Sequence, residues 1–153
     1  MVEFDRFTFV RPVFLGRTRF KSVGFARVSS FELGGGNEQI SALKACGCTS
    51  VFKEVIDEKI TGQRMRAFED AVENLKEGDE LVLLSLDRLG RTMVEVITRL
   101  QELQARGIHL RTLDGLVETK LLGEFGLKII YLLRGIYEVD RSIRLEGNLE
   151  KLE

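Results

Sequence analysis

The feature that most constrains this fold is an apolar run that leads through a charged turn directly into a helix start. Residues 80–86, Glu-Leu-Val-Leu-Leu-Ser-Leu, have the length and composition of a strand. The turn at 87–91 reads Asp-Arg-Leu-Gly-Arg, and Thr92 and Glu95 then form the Ser/Thr-x-x-Glu pattern of a helix N-terminus. This order is typical of an alternating α/β chain, in which ligand sites lie at the carboxyl ends of strands.

Strand and helix patterns alternate along most of the chain. Strands are predicted at 22–29, 50–54, 80–86 and 108–113. Helices are predicted at 38–46, 65–76, 92–106 and, as one long element, 124–152. In the first helix we expect Asn37 to be the N-cap and the stem of Lys44 to face inward. The alternation predicts an α/β fold with a mostly parallel sheet of about four to five strands.

Composition indicates a single globular domain. The chain has 153 residues, of which 44% are apolar and 31% charged, with a net charge of −1. No window approaches the ~18 apolar residues of a membrane span, and the first residues lack a signal-peptide pattern. Cys46 and Cys48 are too few for a disulfide framework or a four-ligand zinc site, and His109 is expected to be a half-exposed strand residue. We therefore expect a cytoplasmic protein with no metal, and no P-loop or dinucleotide glycine pattern is present.

Basic and nucleophilic side chains follow two of the predicted strands. Alternation places Arg27 and Ser29 on one face at the end of the first strand, and Arg88 and Arg91 follow the third. Guanidiniums suit phosphate because each offers a planar fork of donors. If the strand ends lie together, these side chains form one pocket with a hydroxyl nucleophile and its phosphate clamp. The alternative is a strand that ends in turn-forming serines and arginines that only flank a surface turn.

Two further segments bear on the partners of the chain: one has two interpretations, and the other has more apolar surface than its own domain is expected to cover. Residues 1–21 interleave phenylalanines with arginines, a pattern that suits stacking on nucleic-acid bases but also a short strand or arm packed on the domain. The first half of the long helix, 124–139, is apolar around most of its circumference. We expect this half to be buried on two sides, by its own domain and by a second subunit.

Five segments resemble the serine recombinase family, the DNA resolvases and invertases. Residues 24–30, Gly-Phe-Ala-Arg-Val-Ser-Ser, are similar to the family's strand Gly-Tyr-x-Arg-Val-Ser-Thr, and 77–91 is similar to its central motif. The other similar segments are 37–47, 107–113 and 137–141. The resemblance covers about residues 22–145, and the combination of Arg-Val-Ser with Asp-Arg-Leu-Gly-Arg in this order is highly specific.

The resemblance implies a three-layer resolvase-like core at 22–123, a long oligomerisation helix at 124–153 and an N-terminal extension at 1–21. It implies that Ser29 attacks a DNA phosphodiester and forms a 5′-phosphoserine link, with no small-molecule cofactor. The other implied site residues are Arg27, Arg88 and Arg91 around the phosphate, Asp87 as an orienting or proton-transfer group, Arg141 from the long helix, and Arg64 or Arg66. The implied partners are DNA and further copies of the chain, in a homodimer or homotetramer formed through 124–139.

Some positions depart from the family's pattern. Leu33 and the glycines at 34–36 replace a polar segment in which glutamine is common, and Phe25 and Ser85 replace the usual tyrosine and lysine. No helix-turn-helix DNA-reading domain is visible. The acidic tail, residues 138–153, has a net charge of −2 and is a poor surface for DNA. Two functions stay open: the catalytic domain of a site-specific recombinase, and an inactive recombinase-fold protein that oligomerises with or regulates a relative. We expect the first, because three arginines accompany Ser29.

Overall fold

A computed structural model describes residues 20–57, 59–60 and 64–151. Its strands are β1 (Ser22–Ser29), β2 (Ser50–Ile56), β3 (Glu80–Leu83) and β4 (His109–Thr112). Its α-helices are α1 (Asn37–Ala45), α2 (Arg66–Glu73), α3 (Met93–Ala105) and α4 (Gly126–Glu150), with 3-10 segments at Leu86–Arg88 and Thr119–Phe125. The predicted alternation is therefore confirmed, whereas the predictions for 1–19 lie outside the described residues.

The strands form one parallel sheet in the order β2-β1-β3-β4. The first crossover places β2 on one side of β1, and the later strands add on the other side. The topology therefore reverses direction between β1 and β3, which is the position where open α/β sheets hold their ligands. The first residues of β1 and β3 pair directly, with Val23 beside Leu81. The expected proximity of the two strand ends is confirmed by a hydrogen bond of 3.2 Å from Arg88 Nη1 to the carbonyl oxygen of Arg27.

The core lies on both faces of the sheet and gives the domain three layers. On one face, Phe25 of β1 packs edge-on against Phe68 of α2, with a ring-centroid distance of 5.6 Å. On the opposite face, Ala26 and Val82 form a second apolar cluster with Leu43 of α1. Because β1 is covered on both faces, five of its eight residues are buried, and its end is a fixed platform for Arg27 and Ser29.

The start of α1 differs from the prediction. Gly36 takes the N-cap position with φ 78°, and Asn37 is the first helical residue. A Cβ atom on Gly36 would lie 2.3 Å from Cγ2 of Val28, so the close approach to β1 selects glycine here. Lys44 is exposed and does not face inward. Helix periodicity alone did not reveal this contact with the sheet.

The bounds of other elements also differ: α2 ends at Glu73 rather than at 76, and β4 and α4 are shorter than predicted by one and two residues at each end. β2 extends to Ile56 because it stays paired with β1 as far as Ser29. β3 ends at Leu83, and the apolar residues beyond it lead into the 3-10 segment Leu86–Arg88. His109 is half-buried in β4, as predicted.

The long helix α4 packs on α3 and leaves much of its apolar surface exposed. Arg134 donates a hydrogen bond of 2.7 Å to Gln101 across the two helices. Ile130 is buried, whereas Leu132, Ile136 and Val139 are exposed. Within the described ranges, none of the helices has the length and apolar character that crossing a membrane requires.

Candidate active site

A pocket of about 410 Å³ opens at the carboxyl ends of β1 and β3. Arg27, Ser29, Arg88 and Arg91 line it, together with Val28 and Ile56. The structure thus brings together the hydroxyl and the three guanidiniums that the sequence places after two different strands. Adjacent parallel strands carry their carboxyl-terminal residues to the same edge, which explains this convergence.

Ser29 is the last residue of β1, and backbone hydrogen bonds fix its position. Its carbonyl oxygen accepts a hydrogen bond of 3.0 Å from the amide of Glu32, and its Oγ accepts one of 3.4 Å from the amide of Phe31. The next amide, of Ser30, donates to the carbonyl of Ile56 at 2.9 Å and continues the pairing with β2. The hydroxyl therefore stands on a braced strand end at the mouth of the pocket.

The 3-10 segment Leu86–Arg88 positions the second arginine. Arg88 Nη1 donates a hydrogen bond of 3.2 Å to the carbonyl oxygen of Arg27, which ties the two strand ends together. Asp87 accepts a hydrogen bond from the hydroxyl of Ser85, and one of its oxygens lies 3.9 Å from Nε of Arg88. Asp87 is 70% exposed, so it orients Arg88 only loosely.

Gly90 allows the turn to pack closely on the start of α3. A Cβ atom there would lie 2.9 Å from the backbone nitrogen of Val96 and 2.9 Å from Cβ of Glu95. Thr92 caps the helix by accepting from the Glu95 amide at 3.3 Å, and the Glu95 carboxylate accepts from the Arg91 amide at 2.7 Å. The predicted helix start is confirmed, and it holds Arg91 at the rim.

The positive charge of the pocket guanidiniums is only partly balanced, since the carboxylate of Asp87 lies 3.9 Å from Nε of Arg88 and is largely exposed. Burial lowers the pKa of Arg27 from its ordinary value, and the positive charge of Arg88 lowers it further. Asp87 and Glu95 oppose this effect. Arg27 Nη1 and Arg88 Nε are buried and have no hydrogen-bond partner among the described residues. Buried donors without partners are costly, and three guanidiniums lining one pocket favour an anion there.

Gln39 supports the site, although the sequence analysis did not select it. This buried residue of α1 donates a hydrogen bond of 3.2 Å from Nε2 to the carbonyl oxygen of Arg27, the same oxygen that Arg88 contacts. The signal was present in the sequence, because Gln39 lies one helical turn before the core residue Leu43 and shares its inward face. A polar residue on a core-facing stripe requires a buried partner.

The structure does not bring Arg64, Arg66 or Arg141 to this pocket. Arg64 is exposed and forms an ion pair of 2.6 Å with Glu69, and Arg66 is an exposed residue at the start of α2. The residue between them, Met65, is buried in the core. The expected contribution of an arginine at this helix start is therefore absent from the described arrangement.

Arg141 lies in a different groove, between α3 and α4. The groove has a volume of about 730 Å³ and a largely apolar lining that includes Met93, Leu100 and Ile136. Arg141 is exposed and lies 3.8 Å from Glu138 on its own helix. It does not reach Ser29 from this position, so the expectation that it enters the pocket does not hold for this arrangement of a single chain.

The described residues contain no cluster of three or more His, Cys, Asp or Glu side chains that could hold a metal ion. What the pocket offers is a hydroxyl beside three guanidiniums. Such a set can bind a phosphate diester and stabilise the negative charge that develops on its oxygens when the hydroxyl attacks.

Comparison with known proteins identifies the family. The family described as "Resolvase, N terminal domain" matches residues 22–151. The serine recombinase Gin of Escherichia phage Mu is 30% identical over 132 residues, which cover 85% of this chain and 65% of Gin. The Staphylococcus aureus transposon Tn552 DNA-invertase BinR is 31% identical over 81% of this chain and 63% of its own length. The chain therefore spans slightly less than two thirds of these relatives.

A solved structure supports the fold. A resolvase family site-specific recombinase from Streptococcus pneumoniae superposes with a TM-score of 0.58 at 15% identity, covering 87% of this chain and 98% of that one. At this identity the likeness concerns the fold alone. The family match extends over most of the chain and contains the whole pocket. The chain belongs to the resolvase family of serine recombinases.

Proposed function

We propose that this chain is the catalytic domain of a site-specific DNA recombinase that cuts and rejoins strands through Ser29. The observation that carries the proposal is the pocket itself, which Ser29 lines together with Arg27, Arg88 and Arg91. A DNA phosphodiester supplies an anion that suits these guanidiniums. It also supplies the electrophile for the hydroxyl.

The proposed reaction is a transfer of the phosphoryl group to the protein. The Ser29 oxygen forms a bond to phosphorus and gives up its proton, and the bond from phosphorus to the 3′ oxygen breaks as that oxygen takes up a proton. The products are a 5′-phosphoserine link and a free 3′-hydroxyl. Because the link retains a phosphate ester bond, attack by another 3′-hydroxyl rejoins the strands without a nucleotide cofactor.

Arg27, Arg88 and Arg91 have the proposed role of stabilising the charge on the nonbridging oxygens. Asp87 has the proposed role of holding Arg88, with which it is paired at 3.9 Å. Its exposure at the rim also suits a part in proton transfer to the leaving oxygen. We propose the cytoplasm as the site of this reaction, supported by Cys46 and Cys48, which are both free thiols.

A second copy of the chain is the proposed partner of α4. The exposed apolar side chains along this helix include Leu127, Ile129, Leu132, Leu133, Ile136, Val139 and Ile143. A contiguous apolar surface of this kind is typical of an interaction site. Pairing of α4 with another copy would bury it in a homodimer, and two dimers would supply the active sites for exchange between two DNA duplexes.

The second candidate is a recombinase-fold protein that oligomerises without catalysis. Its support is the position of Arg64, Arg66 and Arg141 outside the pocket. The two functions differ in whether recombination of DNA requires the Ser29 hydroxyl.

Recombination of a plasmid distinguishes them. The chain is fused to a DNA-binding domain of known specificity and incubated with a supercoiled plasmid that carries paired sites for it. The first candidate requires Ser29→Ala to abolish recombination. Ser41→Ala, a matched change on the exposed face of α1, should leave it intact. Recombination by Ser29→Ala at the wild-type rate would contradict the proposal.

A further inference from the structure

The loop after Ser29 presents large apolar side chains to solvent beside a charged pocket. Phe31 is 63% exposed and Leu33 is 98% exposed. Neither side chain is needed for the core, which forms from β1 and its covering helices. Exposure of an aromatic ring two residues after the proposed nucleophile is costly in water. It is explained if the ring contacts the substrate.

Hydrogen-bonded turns hold this loop in place. The Gly35 amide donates to the carbonyl of Glu32 at 3.2 Å, and the Asn37 amide donates to that of Gly34 at 3.2 Å. Lys53 of β2 donates from Nζ to the carbonyl of Gly35 at 3.2 Å. The loop is thus anchored both to α1 and to the sheet. A ring carried on such a loop is presented with little ordering cost.

A cation lies beside the ring of Phe31. Lys59 Nζ is 5.6 Å from the ring centroid, within range of a cation–π contact. The backbone amide of Phe31 donates to Ser29 Oγ at 3.4 Å, which ties the loop that carries the ring to a residue of the pocket. An aromatic ring next to cations is the combination that proteins use to stack on a nucleic-acid base while binding its phosphates.

We propose that Phe31 stacks on, or inserts beside, the base next to the phosphate held in the arginine pocket, and that Lys59 binds the backbone of the same strand. This inference rests on the proposed function, because it takes DNA as the substrate. Insertion of an apolar side chain at a base step unstacks the step and bends the duplex. Phe31 therefore positions the scissile phosphate and favours steps that deform easily, such as pyrimidine–purine steps.

A nucleic acid fits this surface better than a second copy of the same face. Lys59 Nζ lies beside the Phe31 ring, and Ser29, two residues earlier, lines the pocket of Arg27, Arg88 and Arg91. Two such faces in contact would bring like charges together, which opposes association. A polyanion with flat apolar bases complements both the charge and the ring.

Fluorescence of 2-aminopurine tests the inference without cleavage. The probe replaces each base in turn in the spacer between paired sites for the fused DNA-binding domain. In a Ser29→Ala background the DNA is bound but not cut, so this result does not depend on the identity of the nucleophile. We expect fluorescence to rise severalfold at one step and to return nearly to the free-duplex value with Phe31→Ala, at unchanged binding anisotropy. A rise that persists in Phe31→Ala overturns the inference.

Leu121→Ala is the matched control. Leu121 is similarly exposed. Its neighbour Lys120 lies over the ring of Phe20, which precedes β1, so Leu121 is near the amino ends of the strands and not near the pocket. This variant should retain the full fluorescence rise, and Phe31→Trp should retain it as well because a larger ring stacks at least as well.

The second measurement tests whether a mismatched base pair, which is already open, restores DNA cleavage by Phe31→Ala. With Ser29 restored, Phe31→Ala should cleave about 10-fold more slowly than wild type, the effect expected for losing one stacked base. A mismatch at the step found by fluorescence should restore most of that rate, whereas it should not restore Arg88→Gln. A cleavage defect that the mismatch does not relieve would show that Phe31 acts only on folding, and would overturn the inference. If wild type fails to cleave while the fluorescence result holds, the proposed function fails and the stacking role stands.

Discussion

At the scale of single residues, the pocket combines two guanidiniums that repel each other and lack full partners. Arg27 has a lowered pKa because it is partly buried and close to Arg88. Arg88 Nη1 donates to the Arg27 carbonyl, whereas its Nε is buried, has no hydrogen-bond partner in the described chain and lies 3.9 Å from Asp87. Such an arrangement costs stability, and a bound anion would offset the repulsion between the guanidiniums. We therefore interpret the pocket as a phosphate clamp.

Inorganic phosphate should stabilise the folded protein through this clamp. At a concentration 100 times the dissociation constant the gain in unfolding free energy is about 2.7 kcal/mol. Arg88→Gln should remove the gain, because it deletes the fork of donors, whereas Arg106→Gln on the far end of α3 should keep it. The measurement is the thermal midpoint in phosphate against chloride at equal ionic strength. An equal phosphate effect in wild type and Arg88→Gln would argue against the clamp.

Cys48, which lies away from the site, makes the free energy of unfolding depend on pH. Burial raises the pKa of its thiol from 9.0 to about 12, and the neighbouring Cys46, whose Sγ lies 3.6 Å away, acts in the same direction. Arg111 lowers it and Glu80 raises it to a smaller extent. The folded state therefore keeps a proton that the unfolded chain releases above pH 9.0, so the free energy of unfolding should fall as pH rises past that value.

Cys48→Ala should reduce this loss of stability. Urea unfolding of the variant and the wild type at pH values from about 8 to about 10 measures it. The same slope of unfolding free energy against pH in the variant and the wild type would show that Cys48 does not contribute.

At the scale of elements, helices and strands could be predicted from the sequence where the local residue pattern and the long-range packing favour the same structure. The run 80–86 followed by Thr92 and Glu95 predicted the strand and the helix start correctly, although the strand itself ends at Leu83. Asn37 was wrongly predicted as a cap because the requirement at that point is tertiary, namely the contact between Gly36 and Val28. Gln39 was overlooked for the same reason, since its partner is a carbonyl on another element.

Gly90→Ala should destabilise the domain by about 1–3 kcal/mol, the usual cost of forcing an extra methyl into a packed site. Its Cβ would lie 2.9 Å from the Val96 backbone, which cannot move without displacing α3. Gly135→Ala is the matched change, because an added Cβ there has no described atom within 4 Å. It should be neutral or stabilise α4 by about 0.5–1 kcal/mol. Urea unfolding measures both, and equal effects would contradict the packing argument.

At the scale of the whole molecule, topology explains which predicted site residues meet. Arg27 and Ser29 end β1, and Arg88 and Arg91 follow β3, so the pairing of β1 with β3 is enough to bring them together. The positions of Arg64 and Arg66 depend on the path of the connection that leads into α2, and the local sequence pattern does not define that path. Arg141 depends on how α4 lies on α3, and here it lines the groove between them. The sequence could not determine these placements, because each depends on the docking of a whole element.

The exposed surface of α4 should produce self-association. Ile136 is 58% exposed and lines the groove of α3 and α4, so Ile136→Glu would place a charge in the proposed contact. We expect it to weaken the dimer by at least about 10-fold, as loss of a central apolar contact does. Thr98→Glu adds the same charge on the exposed face of α3 and should leave association unchanged. Sedimentation velocity measures both variants, and an unaltered dimer with Ile136→Glu would exclude this surface.

The most direct test of the account is covalent trapping of the protein on DNA. The chain, fused to a DNA-binding domain, is incubated with a supercoiled plasmid carrying paired sites, quenched with denaturant and analysed for protein attached to DNA ends. We predict an adduct at 5′ ends in wild type, with phosphorus bound to Ser29 in the isolated peptide, and none with Ser29→Ala. An adduct that persists in Ser29→Ala, or no adduct from a wild-type fusion that binds its sites and assembles, would contradict the central claim that Ser29 is the nucleophile of a DNA recombinase.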